Sequence, residues 1–162
     1  MSTPRRADSQ QIKHAFDKDA VIATLNRILE LELAGVVRYT HYALMAYGFN
    51  RIPIVEWLNK QAESGLVHAP GGRSRPWLGG HPSLGIGTLL ETHRHDIGDI
   101  LRESLALEAE TLTAYHELLA LAREKDVRLE EYARDLIAEE VAHRDEVDKM
   151  LRRPGDPGPY SA

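Results

Sequence analysis

Apolar residues recur at steps of three and four along four stretches of the chain, the period of helices that each bury one face. The first stripe runs Val21, Leu25, Ile28, Glu32, Val36 (beside Gly35), Tyr39, Ala43 and Ala46, with Asp17 or Asp19 as cap and Gly48 as terminator. The second runs Ile54, Leu58, Gln61, Gly65 and His68, with Asn50 as cap and Pro53 tolerated in the first turn. Pro70, Gly71, Gly72 and Pro76 then forbid a continuous helix, so this element is expected to be several turns shorter than the others. Thr88-Leu-Leu-Glu91 reads as a capping box opening a third helix, whose stripe is Ile97, Leu101, Leu105, Glu108, Leu112, Tyr115, Leu119 and Ala122. Asp126 caps a fourth, with Leu129, Tyr132, Leu136, Val147 and Met150 on its stripe, and the run Pro154-Gly-Asp-Pro-Gly-Pro159 ends it.

These lengths set the architecture. The links after the first and third helices are tight, whereas about 20 residues join the second to the third, enough to run from one end of a bundle to the other. The pattern predicts an all-α chain, an antiparallel four-helix bundle with one long crossover between helices 2 and 3. Residues 1–16 are expected to be a flexible N-terminal arm, residues 17–152 the bundle, and residues 153–162 a flexible C-terminal tail. No alternating strand pattern and no solenoid repeat interrupts this reading.

Composition narrows the chemistry. The absence of cysteine excludes disulfides and cysteine-ligated zinc or iron–sulfur sites, and is compatible with a reducing cytoplasm. A net charge of −5 does not indicate a nucleic-acid surface, and the run Arg73-Ser-Arg75 is too short to imply one. No stretch has the length and apolarity of a membrane span, and the N-terminus lacks the apolar run of a signal peptide.

The candidate chemistry lies on the stripes themselves. Continued through its gap, the fourth stripe passes through Glu140 and His143, a Glu-x-x-His pair whose members share one helix face. Glu32, His68 and Glu108 lie on the other three stripes. Each alone is ordinary: a stripe glutamate usually snorkels to water, and a lone histidine is usually a hydrogen-bonded core residue. Together they place three carboxylates and two imidazoles at mid-bundle, a cost that two divalent cations would offset. Oxygen and nitrogen donors without sulfur suit iron or manganese, with zinc also accommodated. His93 and His95 are off register and read as surface. Glu63 lies about 200° around the helix from Gly65, on the wrong side unless a slip or a π-bulge brings it nearer.

The run from Leu25 to Ala34 that contains Glu32, with Tyr39 a heptad on, resembles the first helix of bacterioferritins; Leu105-Ala-Leu-Glu108 resembles their third, and Glu140-Val-Ala-His143 their fourth. The resemblance covers most of residues 18–152. It implies a ferritin-like di-iron carboxylate protein. On it, Glu32 and Glu108 resemble the outer ligands, Glu140 a bridging carboxylate, His68 and His143 the terminal nitrogens, and Tyr39 a tyrosine beside the metals. The implied activity is oxidation of Fe(II) by oxygen or peroxide, with storage of Fe(III) inside a dimer-based homo-oligomer or cage.

Three departures qualify the implication. Gly65 stands where a second bridging glutamate belongs, so the pair of metals should be held more weakly, or one ion alone. Leu66 stands where a haem-ligating methionine belongs, so haem is not expected. The tail has no counterpart of the short fifth helix of the cage. The Gly-, Pro- and Arg-rich island from Ser64 to Trp77 also has the composition that two compensating frameshifts would leave, which resequencing the locus would test. Two rival functions follow: a di-manganese or di-iron enzyme that consumes peroxide, and a non-catalytic bundle whose metal site has decayed.

Overall fold

The computed structural model describes residues 17–69, 78–89 and 92–160. Four helices carry these residues: α1 (Lys18–Met45), α2 (Arg51–His68), α3 (Ile97–Ala122) and α4 (Val127–Leu151). No strand occurs among the described residues. The expected arm at 1–16, the helix-breaking run from Pro70 to Pro76, Trp77, and Glu91 of the expected capping box lie outside them. α1 pairs with α2, α3 pairs with α4, and α1 packs against α3 to join the two hairpins. The core between them is built from Leu25, Ile28, Leu58, Ile100, Tyr115, Leu118 and Leu129, all almost fully buried. α2 has 18 residues against 25 to 28 in the other three, as its sequence pattern requires.

Helix starts follow side-chain capping chemistry. The Asp17 carboxylate accepts from the Ala20 N–H, and that of Asp126 accepts from Arg128 and Leu129, which satisfies N–H groups that no helical carbonyl can reach. Asn50 precedes α2, but its side chain makes no capping hydrogen bond. α1 stops at Met45, before Gly48, which turns the chain with φ +100°.

The third helix corrects the sequence reading. It opens at Ile97, with the Asp96 carboxylate accepting from Gly98 N, and not at Thr88. Thr88 and Leu89 are in the crossover, outside any helix. The reason is tertiary. Residues upstream of Thr88 are strapped along α1: Gly87 N–H donates to the Glu30 carbonyl at 2.8 Å, Ser83 Oγ–H donates to the Glu30 carboxylate, and Asn26 bonds both His81 O and Ser83 N. Glycine at 87 permits this close approach: a Cβ there would lie 3.0 Å from the Glu30 carbonyl oxygen, so the backbone would have to give by a few tenths of an ångström. His93 and His95 therefore precede α3 and do not lie within its first turns.

Two further differences are local. The buried face of α3 centres on Ile100, Leu101, Ser104, Leu107, Glu108, Thr111, Leu112 and Tyr115, leaving Ile97, Leu105 and Leu119 half-buried at its margin. On α4, Met150 is exposed. The segment after α4 is hydrogen-bonded back onto it: Tyr160 N donates to Asp148 Oδ1 at 2.8 Å, and Arg152 Nη1 donates to Pro157 O at 3.0 Å.

Candidate metal centre

Each helix brings one buried ionisable side chain to the same depth. Glu32 on α1, His68 on α2, Glu108 on α3 and Glu140 on α4 are all no more than 6% exposed, and His143 follows one turn after Glu140, half-buried. They form two overlapping groups, Glu32–His68–Glu140 and Glu108–Glu140–His143, within each of which one potential ligand atom per residue lies within 4.8 Å of the others. Glu140 belongs to both. The imidazoles of His68 and His143 stack with centroids 6.5 Å apart and 20° between their planes. A cavity of about 20 Å³ lies at the centre, lined by these residues together with Tyr39, Gln61, Gly65 and Thr111.

An internal two-fold pattern organises the site. Glu32 and Glu108 lie on α1 and α3, and each is followed one heptad later by a tyrosine, Tyr39 and Tyr115. The tyrosines cross over: Tyr39 O–H donates to Glu108, and Tyr115 O–H donates to Glu32 Oε1 at 2.7 Å. Each outer carboxylate is thereby aimed by a phenol from the opposite hairpin. His68 matches His143, and Gly65 is the counterpart of Glu140, so the pattern itself shows which carboxylate is missing.

Position 65 is closed as well as empty. A Cβ on Gly65 would lie 3.1 Å from Val36 Cγ2, 3.3 Å from the Glu32 carbonyl oxygen and 3.5 Å from Glu32 Oε2. α1 and α2 approach each other at this point because no side chain separates them. α2 remains regular from Arg51 to His68, with no π-bulge, and Glu63 is exposed and in neither ligand group. Leu66 is also exposed and offers no ligating atom.

Electrostatics show what the cluster does without a cation. Burial pushes the Glu32 carboxyl up from 4.5. Burial, with Glu140 alongside, pushes Glu108 well up; burial would raise Glu140 too, but Glu108 and His68 beside it hold it down. Burial alone would lower His68, but hydrogen bonds to Glu140, Glu32 and Glu139 raise it to about 10. A cation among these carboxylates would offset the cost of burying them. The donor set fits a divalent metal ion bound through oxygen and imidazole nitrogen.

The structure brings together all five expected ligands and Tyr39. It adds two residues. Tyr115 sat on the expected stripe but was read only as core; the repeated heptad offset, Glu32 to Tyr39 and Glu108 to Tyr115, was the signal for its role. Glu139 gave no signal, being one residue from the α4 stripe and about half-exposed. Its carboxylate curls over to His68 Nε2 at 2.8 Å, while His68 Nδ1 faces Glu32 at 3.7 Å and Glu140 at 3.5 Å. A carboxylate on the outer nitrogen leaves the inner nitrogen aimed at the cluster.

Known proteins share this fold. The chain is similar in structure to a ferritin-like diiron-carboxylate protein from Bacillus anthracis (TM-score 0.79, 24% identity, covering 85% of this chain and 99% of that one). It is similar to the dodecameric thioferritin, a bacterioferritin-related protein, of Bacteroides fragilis (TM-score 0.78, 23% identity, 84% of this chain and 86% of that one). It is also similar to the bacterioferritin of Desulfovibrio desulfuricans, described with a diiron site in different catalytic states (TM-score 0.71, 26% identity, 83% of this chain and 79% of that one). No curated protein matches the chain. The model of the ferritin-like domain matches residues 22–154, which take in all four helices but for the first turn of α1, and every ligand candidate, and the chain belongs to the ferritin-like family.

Proposed function

We propose that this protein binds iron(II) at the centre between its four helices and oxidises it with oxygen or peroxide, for iron storage or detoxification. The observation that carries this reading is the convergence of three buried carboxylates and two imidazoles in two overlapping groups that share Glu140. Iron(II) is the substrate. Glu32 with His68 takes one ion, Glu108 with His143 takes the other, and Glu140 lies between them. Tyr39 and Tyr115 keep the outer carboxylates aimed inward, and Glu139 keeps His68 turned toward the site. Carboxylates favour the ferric product, which lowers the barrier to losing an electron, and the surrounding apolar shell excludes bulk water. Manganese or zinc would fit the same donors and would compete with iron.

With Gly65 in place of a second shared carboxylate, the two ions bind in unequal steps. The cytoplasm supplies both iron(II) and oxidant, and the working form is a homo-oligomer assembled from dimers. The test is anaerobic iron(II) titration of the metal-free chain followed by oxygen. Two stepwise equivalents, oxidised faster than in buffer, support the reading. The decayed-site alternative has Gly65 in its favour, and it would show no saturable binding. The peroxide-consuming alternative would show sustained peroxide loss without accumulation of ferric mineral.

A further inference from the structure

The far end of the crossover brings histidines together outside the centre. The crossover follows α1 on its way to α3. The Asn26 side chain bonds the His81 carbonyl and the Ser83 N–H, Ser83 and Gly87 bond Glu30, and further along α1 the ring of His95 meets that of His41. These two imidazoles are half-buried, with centroids 5.6 Å apart and 66° between their planes. His41 is two residues on from Tyr39, about 200° around the helix, and so lies away from the centre.

Both backbones are held in place. His41 lies within the regular helix α1. The segment that carries His95 is pinned at either end: Thr92 Oγ1–H donates to the Glu103 carboxylate, and the Asp96 carboxylate caps α3 by accepting from Gly98 N. Glu103 also accepts from the O–H of Tyr42, the neighbour of His41, and its carbonyl accepts from Arg38. Between the pins the chain turns at His93, whose φ of 55° is left-handed, a conformation histidine adopts more readily than most side chains.

The spacing is that of two ligands on one ion. A metal bound at about 2.1 Å by an imidazole nitrogen lies about 3.2 Å from that ring's centroid, so two rings at a tetrahedral angle have centroids about 5.2 Å apart, and a wider angle separates them further. The observed 5.6 Å fits this spacing. We propose that His41 and His95 bind a second kind of metal ion, a divalent late transition metal such as zinc(II), which clips the end of the crossover to α1. The groups of three or more ligating side chains among the described residues all lie at the centre, so water fills the other positions of this ion. Two imidazoles without a carboxylate favour zinc(II), nickel(II) or copper(II) over iron(II), whereas the centre is rich in carboxylates. The site does not depend on how the centre is read. The bland alternative is an edge-on contact between two rings with no ion.

The test maps histidine reactivity toward diethylpyrocarbonate on the full chain, by peptide mass spectrometry, as zinc(II) is raised in steps to four equivalents at micromolar concentration. His41 and His95 should lose reactivity together, several-fold, while the exposed His81 and His116 keep theirs. His95→Phe keeps a ring against His41 and removes the ligating nitrogen. In that variant metal-free denaturation should change little, protection of His41 should be lost, and calorimetric titration should show one zinc(II) fewer per chain than in the wild type, whatever the centre binds. If His95→Phe does not fold, the wild-type mapping decides alone. Undiminished reactivity of His41 and His95, protection that needs millimolar zinc(II), or an unchanged stoichiometry in His95→Phe would overturn the site and leave the reading of the centre as it stands.

Discussion

At the scale of single residues, Glu140 is the position on which both ligand groups depend. Glu140→Ala is expected to abolish saturable binding of both ions, whereas His143→Ala is expected to remove one step and leave the other. Calorimetric titration with zinc(II) separates the two outcomes, and retention of two steps in Glu140→Ala would contradict the shared-ligand geometry. The buried charges also fix a pH dependence. His68 is raised from 6.5 to about 10, so the stability it contributes in the metal-free protein is fully present below about pH 6.5 and is lost as pH rises through about 10. Metal binding has the opposite slope, because an ion must displace that proton: affinity is expected to fall about tenfold for each pH unit of acidification per proton displaced. Thermal melts with and without zinc(II) across this range check both signs, and His68→Gln should flatten the metal-free slope. The convergence of Glu32, His68, Glu108, Glu140 and His143 was legible in the sequence because helical periodicity places them on the same stripes as apolar residues. Glu139 was not, because a flexible side chain on a half-exposed position can reach round a helix in a way that periodicity does not encode.

At the scale of elements, two sites decide how α2 and α3 are placed. Helix α3 is capped by Asp96, so Asp96→Ala should destabilise the fold by about 1 kcal/mol through loss of the cap, while Thr88→Ala should change stability little. Chemical denaturation of the two variants distinguishes this start from one at Thr88. The sequence reading took Thr88-Leu-Leu-Glu91 as the start and did not consider Asp96. What it could not include is the bonding of Gly87 and Ser83 to Glu30 on α1, more than 50 residues away in sequence. The close approach of α1 and α2 makes a second prediction. Gly65→Ala gains about 1 kcal/mol of helix propensity, but its Cβ would press on Val36 and the Glu32 carbonyl, an overpacking cost of about 1–3 kcal/mol. The net effect should be destabilising. Val36→Ala in the same chain should reverse the sign of the Gly65→Ala effect, since the stiff β-branched methyl is then gone. A stabilising effect of Gly65→Ala alone would mean that the helices separate easily and that the closed approach is not a fixed feature.

At the scale of the whole molecule, the four-helix architecture with one long crossover follows from stripe lengths and from where Pro and Gly fall, and α1, α2 and α4 lie near their expected bounds while α3 opens later, at Ile97. What did not follow from the sequence is the closure around Gly65, because it depends on how near two helices come and not on what either prefers alone. That closure bears on function: the two halves of the bundle are matched in their outer glutamates, tyrosines and histidines, yet only α4 supplies a shared carboxylate. The proposed centre binds iron(II) in two unequal steps and oxidises it. The measurement that tests this most directly is anaerobic iron(II) titration of the metal-free protein, followed by exposure to oxygen with ferric absorbance recorded. The expected result is two resolved equivalents per chain, the second weaker, with oxidation faster than in protein-free buffer. No saturable binding, or oxidation at the buffer rate, would contradict it.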